Sequence, residues 1–254
     1  MAETARRGGQ GRRRAGAVQR ALATLLIAGG VGLALLGGLL CLSALNAEQA
    51  ERFIRDWSTV GAEPDAEAFA IAEAAAIRSI RLHPGPSGRH WDRLGRVYDW
   101  AHWRAPFNRQ PLPATRIPPE RLLEQPLGER GAAAVQATRL RAVSAHEQAV
   151  SLRPLWPYGV SRLAFARLRA GRPDDELARL LREAYRLGPW RPAVNRRITE
   201  VGLRAWARLD YETRDIVLEN ARRTVRYSRA DERHVRELGE ATGRALMIET
   251  LVLP

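Results

Sequence analysis

The sequence contains no lysine, and all 41 of its basic residues are arginine. Beside abundant alanine, glycine, leucine and proline, this usage is typical of a GC-rich coding sequence and does not by itself indicate a phosphate-binding surface. The formal net charge of +13 is therefore a weak argument for nucleic acid, and we predict no nucleic-acid partner. A basic face that binds another anion stays open as an alternative.

Cysteine is nearly absent as well. Cys41 is the only one, which excludes an intramolecular disulfide framework and leaves too few thiolates for a structural zinc site. The five histidines show no metal-ligand spacing, and there is no glycine-rich phosphate loop or nucleophile elbow. We therefore predict no catalytic residue, no metal and no cofactor. A glycan-active enzyme whose acid pair meets only in the folded chain is the enzymatic alternative.

Charge is missing altogether from residues 21–45, a run of 25 residues. A helix needs about 20 apolar residues to cross the hydrocarbon core of a bilayer. The apolar core of a cleavable signal peptide is shorter, roughly 7–15 residues. The run therefore predicts an uncleaved transmembrane helix.

The residues on either side of this run indicate its orientation. Residues 1–20 carry six arginines and one glutamate, whereas residues 46–65 carry two arginines and five acidic residues. The positive-inside rule then predicts a basic cytoplasmic tail over 1–20 and a domain over 46–254 on the other side of the membrane. For a Gram-negative bacterium this describes a single-pass inner-membrane protein with a periplasmic domain.

Small residues recur along the predicted span. Gly30, Ala34 and Gly38 follow the small-xxx-small spacing, which lets two transmembrane helices approach closely. The spacing predicts a homo-oligomer formed through this face. The alternative is that glycine and alanine simply populate an apolar span.

Beyond residue 46 the chain lacks the alternating pattern of a strand and is rich in alanine, leucine, arginine and glutamate. Runs of 12–20 residues separated by proline- or glycine-marked turns predict antiparallel helix pairs. The predicted helices cover 47–58, 66–82, 88–103, 132–152, 158–170, 174–187, 191–208, 211–227 and 231–249.

A repeat is visible among these helices. Trp91, Leu94, Gly95 and Tyr98 match the W-x2-L-G-x2-Y spacing of the first helix of a tetratricopeptide repeat. Leu94 and Tyr98 share one face of a helix, and Gly95 gives a partner helix room to approach.

The second helix of such a repeat contains small residues and ends before a proline. Ala149 precedes Pro154 by five residues, Ala184 precedes Pro189 by five, and the two prolines are 35 residues apart. This interval is close to the repeat length of about 34. The predicted fold class is therefore all-α, with one N-terminal transmembrane helix followed by a tetratricopeptide-like helical-repeat domain, an α-solenoid.

One repeat is interrupted by residues 104–131, which hold six of the fifteen prolines. Each proline removes a backbone donor and disfavours the α region before it, so a continuous helix is excluded. We predict a long insertion between the first helix of a repeat, 88–103, and its second, 132–152. Long loops in compact domains are often functional. The alternative is an insertion that the fold tolerates and that has no function.

The seven tryptophans require two interpretations. Those near repeat boundaries are predicted to wedge between neighbouring helices; they are Trp91, Trp156, Trp190 and Trp206. Trp100 and Trp103 lie beside the insertion and are candidates for a surface contact. A positive strip on one face is predicted from five arginines, Arg191, Arg196, Arg197, Arg204 and Arg208, of which the first four are candidates for the interaction surface. The alternative is an ordinary solvated face.

Three phrases in the domain carry a family resemblance: Arg-Pro-x-Trp-Pro-Tyr at 153–158, Gly-Pro-Trp-x-Pro at 188–192, and Gly-Leu-x-x-Trp at 202–206. With the basic tail, the single anchor and the repeats, residues 46–230 resemble the VpsP-type proteins of bacterial exopolysaccharide gene clusters. The family pattern has glutamate where this chain has Arg191, so an acidic contact is not expected there. The resemblance implies a role in polysaccharide biosynthesis or export and carries no catalytic residue.

The expected function is that of a non-catalytic scaffold or accessory protein in exopolysaccharide or lipopolysaccharide assembly, acting by protein–protein docking. Expected partners are the membrane, other envelope or polysaccharide-assembly proteins and an acidic glycan. The alternative is an envelope-assembly adaptor outside polysaccharide synthesis, for example in cytochrome maturation.

Overall fold

A computed structural model of the chain describes residues 2–108, 112, 117–124, 131–172 and 174–253. These residues form helices and turns without a strand, which confirms the predicted all-helical class for this part of the chain. The helices are α1 (Ala2–Val60), α2 (Ala66–Leu82), α3 (Gly88–Trp100), α4 (Pro119–Glu124), α5 (Gly131–Leu152), α6 (Pro157–Arg169), α7 (Asp175–Leu187), α8 (Pro192–Ala205), α9 (Tyr211–Val225), α10 (Arg229–Ala241) and α11 (Ala245–Leu251).

The first helix, α1, runs without a break for 59 residues. It contains a segment with a mean hydropathy of 2.4, none of it buried, which is long and apolar enough to cross a membrane. The sequence predicts a span over 21–45 and a separate helix over 47–58, but the two are continuous. Neither proline nor glycine interrupts residues 39–60, so nothing in the backbone ends the helix there.

The folded domain begins at the end of the apolar run. Ser43 is buried on α1, and its hydroxyl donates a 2.7 Å hydrogen bond to the carbonyl oxygen of Ser79 on α2. Arg78 of α2 donates to the side-chain oxygen of Asn46, 2.8 Å away. The C-terminal end of α2 therefore meets α1 where the apolar run ends.

Local sequence signals explain where the following helices start. Asp65, Asp174 and Asp210 accept hydrogen bonds from the first-turn amides of α2, α7 and α9. Pro157 and Pro192 open α6 and α8, where the missing amide hydrogen costs little. These signals act within one turn, which is why the sequence predicts most helix starts within a residue or two.

Consecutive helices pack as antiparallel pairs: α1 with α2, α3 with α5, α6 with α7, α8 with α9, and α10 with α11. A Cβ atom at Gly95 would lie 2.6 Å from the His146 imidazole on α5. One at Gly202 of α8 would lie 2.1 Å from a methyl group of Val217 on α9. Glycine at these two positions therefore allows the close approach of the paired helices.

Three predicted helices differ at their C-terminal ends. The predicted helix 88–103 ends at Trp100, because Ala101 is extended, and His102 after it adopts a left-handed conformation with φ of 54°. The predicted helix 231–249 is divided at Gly243, whose φ of 68° also favours glycine. The last turn of the predicted helix 191–208 is a 3₁₀ turn over Trp206–Arg208.

Parts of the proline-rich insertion are attached to the domain. Its short helix α4 buries Leu122, and Leu112 is buried beside α6. The amide of Leu112 donates to the carbonyl oxygen of Ala170 at 3.0 Å. The rest of the insertion, residues 109–111, 113–116 and 125–130, lies outside the described residues, as do the arginine side chains of the predicted basic tail.

The tryptophans predicted as wedges differ in burial. Trp91 is 5% exposed and packs in the core between helices, whereas Trp156 and Trp206 are half-buried. Trp190 is 73% exposed, so the wedge prediction is wrong for this residue. It occupies the tip of the turn between α7 and α8, and its ring contacts the Arg223 guanidinium, 4.1 Å away, instead of a helix core.

Candidate functional site

One face of each of four helices, α1, α3, α6 and α8, lines a cleft of about 400 Å³. We call it the tryptophan cleft, and its lining residues are Ile54, Ser58, Arg96, Asp99, Trp100, Trp103, Arg162, Phe165, Arg169, Arg197 and Glu200. On α1, α6 and α8 these positions are three, four or seven residues apart, which places them on one face; α3 contributes Arg96 and the adjacent pair Asp99 and Trp100, and Trp103 follows the end of α3. These four helices are the first members of successive antiparallel pairs.

The lining positions of α6 recur on α8. Arg162, Phe165 and Arg169 lie 35 residues before Arg197, Glu200 and Arg204. The same interval separates the prolines that open the two helices. Equivalent positions of two helix pairs therefore supply this wall of the cleft.

Trp100 and Trp103 lie at the mouth of the tryptophan cleft. Their rings contact edge to face at 5.6 Å, and Trp100 also contacts Trp57 of α1 at 6.5 Å. Trp103 is 38% exposed, so its ring is available to a ligand. The two tryptophans thus form an aromatic edge supported by α1.

Arg169 holds the segment that carries Trp103. Its buried guanidinium donates 2.7 Å hydrogen bonds to the carbonyl oxygens of Asp99 and His102. Because these acceptors are neutral, burial lowers the pKa of Arg169, against the opposing effect of nearby carboxylates such as that of Asp99. The arginine remains cationic and adds positive potential to the cleft.

Arg139 of α5 fixes the continuation of that segment. It donates to the carbonyl oxygens of Ala105 and Pro106, at 3.0 and 2.7 Å, and to the side-chain oxygen of Asn108. Burial, and secondarily the charge of Arg169, lower the pKa of Arg139 to about 10. Two cations therefore hold the start of the insertion through backbone carbonyl groups.

A buried polar network lies behind the cleft. Arg162 donates to Asp92 at 2.5 Å, and the imidazole of His146 is hydrogen-bonded to Asp99 at 2.8 Å. His146 is fully buried against Gly95. This network links α3, α5 and α6 and orients the side chains of Arg162 and Asp99.

A second cleft of about 600 Å³ lies beside the first. We call it the arginine cleft, and its lining residues are Phe107, Asn108, Leu168, Gly171, Arg172, Asp174, Arg204, Ala205, Ala207, Arg208, Ala241, Thr242 and Arg244. Four of its side chains are cationic and one is anionic. The carboxylate of Asp174 already accepts a hydrogen bond from the first turn of α7 and another, of 3.0 Å, from Arg167.

The two clefts adjoin at a pair of aromatic rings. Phe165 lines the first and Phe107 the second, and their rings contact edge to face at 6.1 Å. The Arg197 guanidinium lies 4.3 Å from the centre of the Phe165 ring, and the Arg204 guanidinium lies 4.8 Å from that of Phe107. Glu200 lies near both cations, at 3.9 and 3.6 Å. The aromatic faces thus orient two guanidinium groups that share one carboxylate.

Together the clefts contain eight arginines and three carboxylates. A guanidinium group presents a planar fork of donors that matches a carboxylate or a phosphate group. The described residues contain no group of three or more histidine, cysteine or acidic side chains arranged to hold a metal. The surface therefore combines guanidinium groups with aromatic edges, and several of these groups are already paired, as Arg96 is with Glu51 and Arg162 is with Asp92.

The predicted interaction residues separate in the structure. Trp100, Trp103 and Arg197 line the tryptophan cleft, and Arg204 lines the arginine cleft. The other two predicted residues lie elsewhere, which corrects the prediction of a single strip.

Arg196 points away from the clefts and donates two hydrogen bonds to Asp231 on α10, one of 2.8 Å. The hydrogen bonds from Arg196 lower the pKa of Asp231, as expected for an ion pair. Arg191 is exposed and directly precedes the first turn of α8, at the end of that helix away from Arg204.

Sequence reasoning missed most of the arginines that line the clefts. They are Arg96, Arg162, Arg169, Arg172 and Arg244, whereas Arg208 belongs to the predicted strip and lines the arginine cleft. A readable signal existed for α6, since Arg162, Phe165 and Arg169 repeat the spacing of Arg197, Glu200 and Arg204. No comparable spacing identifies Arg172 or Arg244, which follow helix ends.

Comparison of the chain with protein-family models, with curated proteins and with solved structures gives no match.

Proposed function

We propose that this chain is a single-pass membrane protein whose domain over 46–254 is a tetratricopeptide-like α-solenoid, and that it acts as a non-catalytic scaffold in exopolysaccharide or lipopolysaccharide assembly. In this proposal residues 1–20 are cytoplasmic, 21–45 cross the inner membrane and the domain is periplasmic. The helix α1, long and apolar enough for a span, supports the anchor.

The pairing of the helices supports the repeat fold. Five antiparallel pairs follow one another, and the first helices of neighbouring pairs contact each other, as α1 does α3 and α6 does α8. Repeats of this kind cannot bury their apolar faces alone and are stabilised by their neighbours. The 35-residue recurrence on α6 and α8 falls in the range expected for a tetratricopeptide repeat.

The observation that carries the function is the pair of adjoining arginine-lined clefts on the first helices. A concave surface built by successive repeats is suited to an extended segment of another protein. The excess of guanidinium groups favours an acidic segment, because unlike charges increase the rate and specificity of association. We therefore propose an acidic segment of another envelope protein as the occupant.

The assignment to polysaccharide assembly rests on the resemblance of residues 153–158, 188–192 and 202–206 to VpsP-type proteins. The first two phrases form the turns that precede α6 and α8. They are part of the repeat architecture and lie outside the residues that line the clefts.

Charge reversal in the clefts tests the proposal. The double variant Arg197→Glu, Arg204→Glu should lose co-purification with a polysaccharide polymerase or export component and lower the yield of exopolysaccharide. Arg179→Glu, on the exposed face of α7, is the matched control and should retain both. Normal polymer yield in the double variant, or co-purification with cytochrome-maturation factors instead, would contradict the proposed role.

A second candidate is binding of an acidic glycan, which the exposed ring of Trp103 beside the cleft arginines favours. Aromatic faces stack on sugar rings, and guanidinium groups bind uronate carboxylates. Affinity electrophoresis of the protein in a gel containing an acidic polysaccharide distinguishes this candidate. Retardation that Trp103→Ala abolishes would support it, and migration equal to that in a neutral-polysaccharide gel would exclude it.

A further inference from the structure

Four turns lie at one end of the helix pairs: residues 83–89, 153–158, 186–192 and 223–229. We call this set the turn edge. Each turn connects the second helix of one pair to the first helix of the next. Because the helices alternate in direction, these turns share the end of the domain at which the apolar run of α1 meets α2.

Contacts within the pairs establish this alternation, and turns of three to five residues connect each pair to the next. Ser43 near the end of the apolar run contacts Ser79 near the end of α2. Gly88, at the start of α3, lies against Arg153 at the end of α5. Gly188, at the end of α7, lies against Pro157 at the start of α6, so the end is shared from pair to pair.

The turn edge lies level with the membrane-spanning run. Helix α2 continues to Leu82 beyond its contact with Ser43, antiparallel to α1. At 1.5 Å per residue, the start of the 83–89 turn lies about 5 Å from the level of Ser43, in the direction of the N-terminus of the apolar run. A run of 25 residues is about 38 Å long, about 8 Å longer than the hydrocarbon core, so a core that begins at residue 21 ends near residue 40 and this turn lies at its headgroup boundary.

The charge of the turn edge is of one sign. Its four segments contain seven arginines and no aspartate or glutamate. Carboxylates on the adjoining helices pair with two of these arginines, Glu183 with Arg186 and Glu219 with Arg223, while Asp231 pairs with Arg196. Between the helix ends alone, the turn edge (83–87, 153–156, 188–191 and 226–228) has three arginines and no acidic residue, whereas the short turns at the opposite end (61–65, 170–174, 206–210 and 242–244) have three arginines and four acidic residues.

Helix capping makes this difference informative. Acidic residues are favourable at any helix N-terminus, and α2, α7 and α9 begin at Asp65, Asp174 and Asp210. The helices that begin at the turn edge, α3, α6, α8 and α10, are preceded by serine, tryptophan, arginine and serine. Carboxylates are thus absent from the N-cap positions at the turn edge, although the first turn of α10 contains Asp231 and Glu232.

The turn edge also exposes large apolar side chains. Leu155 and Trp190 occupy equivalent positions 35 residues apart, each directly after a proline, and are 74% and 73% exposed. Arg153 lies 4.2 Å from the ring centre of Trp156, and Arg223 lies 4.1 Å from that of Trp190. Tryptophan at headgroup depth, with arginine reaching towards phosphate groups, is the arrangement found at membrane interfaces.

We propose that the turn edge rests on the bilayer that α1 spans and binds its anionic lipid headgroups through Leu155, Trp190 and the surrounding arginines. The inference rests on the membrane anchor of the proposed function, but not on the occupant of the clefts. Docking would fix the orientation of the domain relative to the membrane, so that the clefts are held at a defined height above it.

The test uses the full chain in lipid nanodiscs, with Cys41 replaced by serine and a single fluorophore on Ser151→Cys beside the turn edge. A second sample carries the fluorophore on Glu212→Cys at the opposite end; both positions are exposed. The nanodiscs contain a lipid with a nitroxide quencher on its headgroup, in phosphatidylcholine with or without phosphatidylglycerol. We expect quenching at residue 151 when phosphatidylglycerol is present and none at residue 212.

Two further measurements identify the interaction. Arg191→Gln should lower the ratio of docked to undocked protein about fivefold, the factor expected for one arginine near an anionic surface, whereas Arg179→Gln should leave it unchanged. High salt should release the domain because it screens these charges. Equal quenching at residues 151 and 212, or quenching at residue 151 that is independent of phosphatidylglycerol and salt, would overturn the proposal. A chain that does not enter nanodiscs at all would instead refute the anchor.

Discussion

Arginine side chains make many of the long-range polar contacts in this protein. Arg139 and Arg169 donate to backbone carbonyl oxygens, whereas Arg162 and Arg196 pair with buried or half-buried carboxylates. The guanidinium group suits both roles because it offers five donors and is weakly hydrated for a cation. An arginine count therefore does not measure the charge available to a ligand.

The close approach of α3 and α5 at Gly95 leads to the first prediction. Gly95→Ala should lower the free energy of unfolding by about 1–3 kcal/mol, because the added methyl group would overlap the fully buried His146 imidazole. Gly85→Ala, in a turn with nothing near the new atom, is the control and should be nearly neutral. Thermal unfolding of the detergent-solubilised chain, followed by circular dichroism, measures both, and equal stabilities would refute the steric explanation.

His90 gives a pH-dependent prediction. Burial, and secondarily the charges of Arg93, His83 and Arg89, lower its pKa from 6.5 to about 4. The folded state therefore keeps the neutral imidazole, which is hydrogen-bonded to Ser79 at 3.1 Å, while the unfolded chain takes up a proton below pH 6.5.

The stabilisation is fully present above pH 6.5 and is lost as the pH falls towards about 4. We expect this loss to amount to about 1–3 kcal/mol. His90→Gln removes the titrating group, so the difference in stability between the two proteins should shrink across this window. A difference that is constant with pH would show that His90 does not titrate as the structure indicates.

At the scale of the helices and turns, the two proline–tryptophan phrases have a common role in ending one helix and starting the next. Pro157 and Pro192 open α6 and α8, and the residues at the turn tips point outwards. Trp156 is only half-buried against Arg153, so its truncation should cost less than the loss of a core tryptophan. The phrases mark the boundaries between successive helix pairs, and their exposed side chains do not fill the space between the pairs.

A pair of truncations tests this view of the turns. Trp91→Ala should lower the free energy of unfolding by about 3–5 kcal/mol, because the ring is 5% exposed and packs in the core. Trp190→Ala should cost about 1 kcal/mol or less, the value of an exposed cation–π contact such as that with Arg223. Denaturant unfolding of both variants is the measurement, and a large loss for Trp190→Ala would restore its wedge role.

For the whole molecule, the uninterrupted α1 has the largest consequence. Its apolar run and its packed end, from Ser43 to Trp57, belong to one rigid helix. The proposed span and the domain are thus joined without a flexible linker. The domain can therefore move relative to the bilayer only as α1 tilts, and docking of the turn edge would fix that tilt.

Topology is the prediction at this scale. Alkaline phosphatase fused after Pro254 should be active, and a fluorescent protein that folds only in the cytoplasm should remain dark there. The physical reason is the excess of arginine before the apolar run and of acidic residues after it. The reverse pair of results would place the domain in the cytoplasm and contradict the periplasmic part of the proposed function.

The sequence by itself determined the helical class, most helix starts and the apolar run, because prolines, aspartate caps and uncharged stretches act through neighbouring residues. Only the tertiary structure decided that Arg197 and Arg204 face the clefts while Arg196 pairs with Asp231 and Arg191 lies at the far end of α8. The rotation of a helix about its axis depends on what its neighbours bury. Arginines that lie close together in the sequence therefore take cleft-lining, ion-paired or exposed positions only when the helices pack.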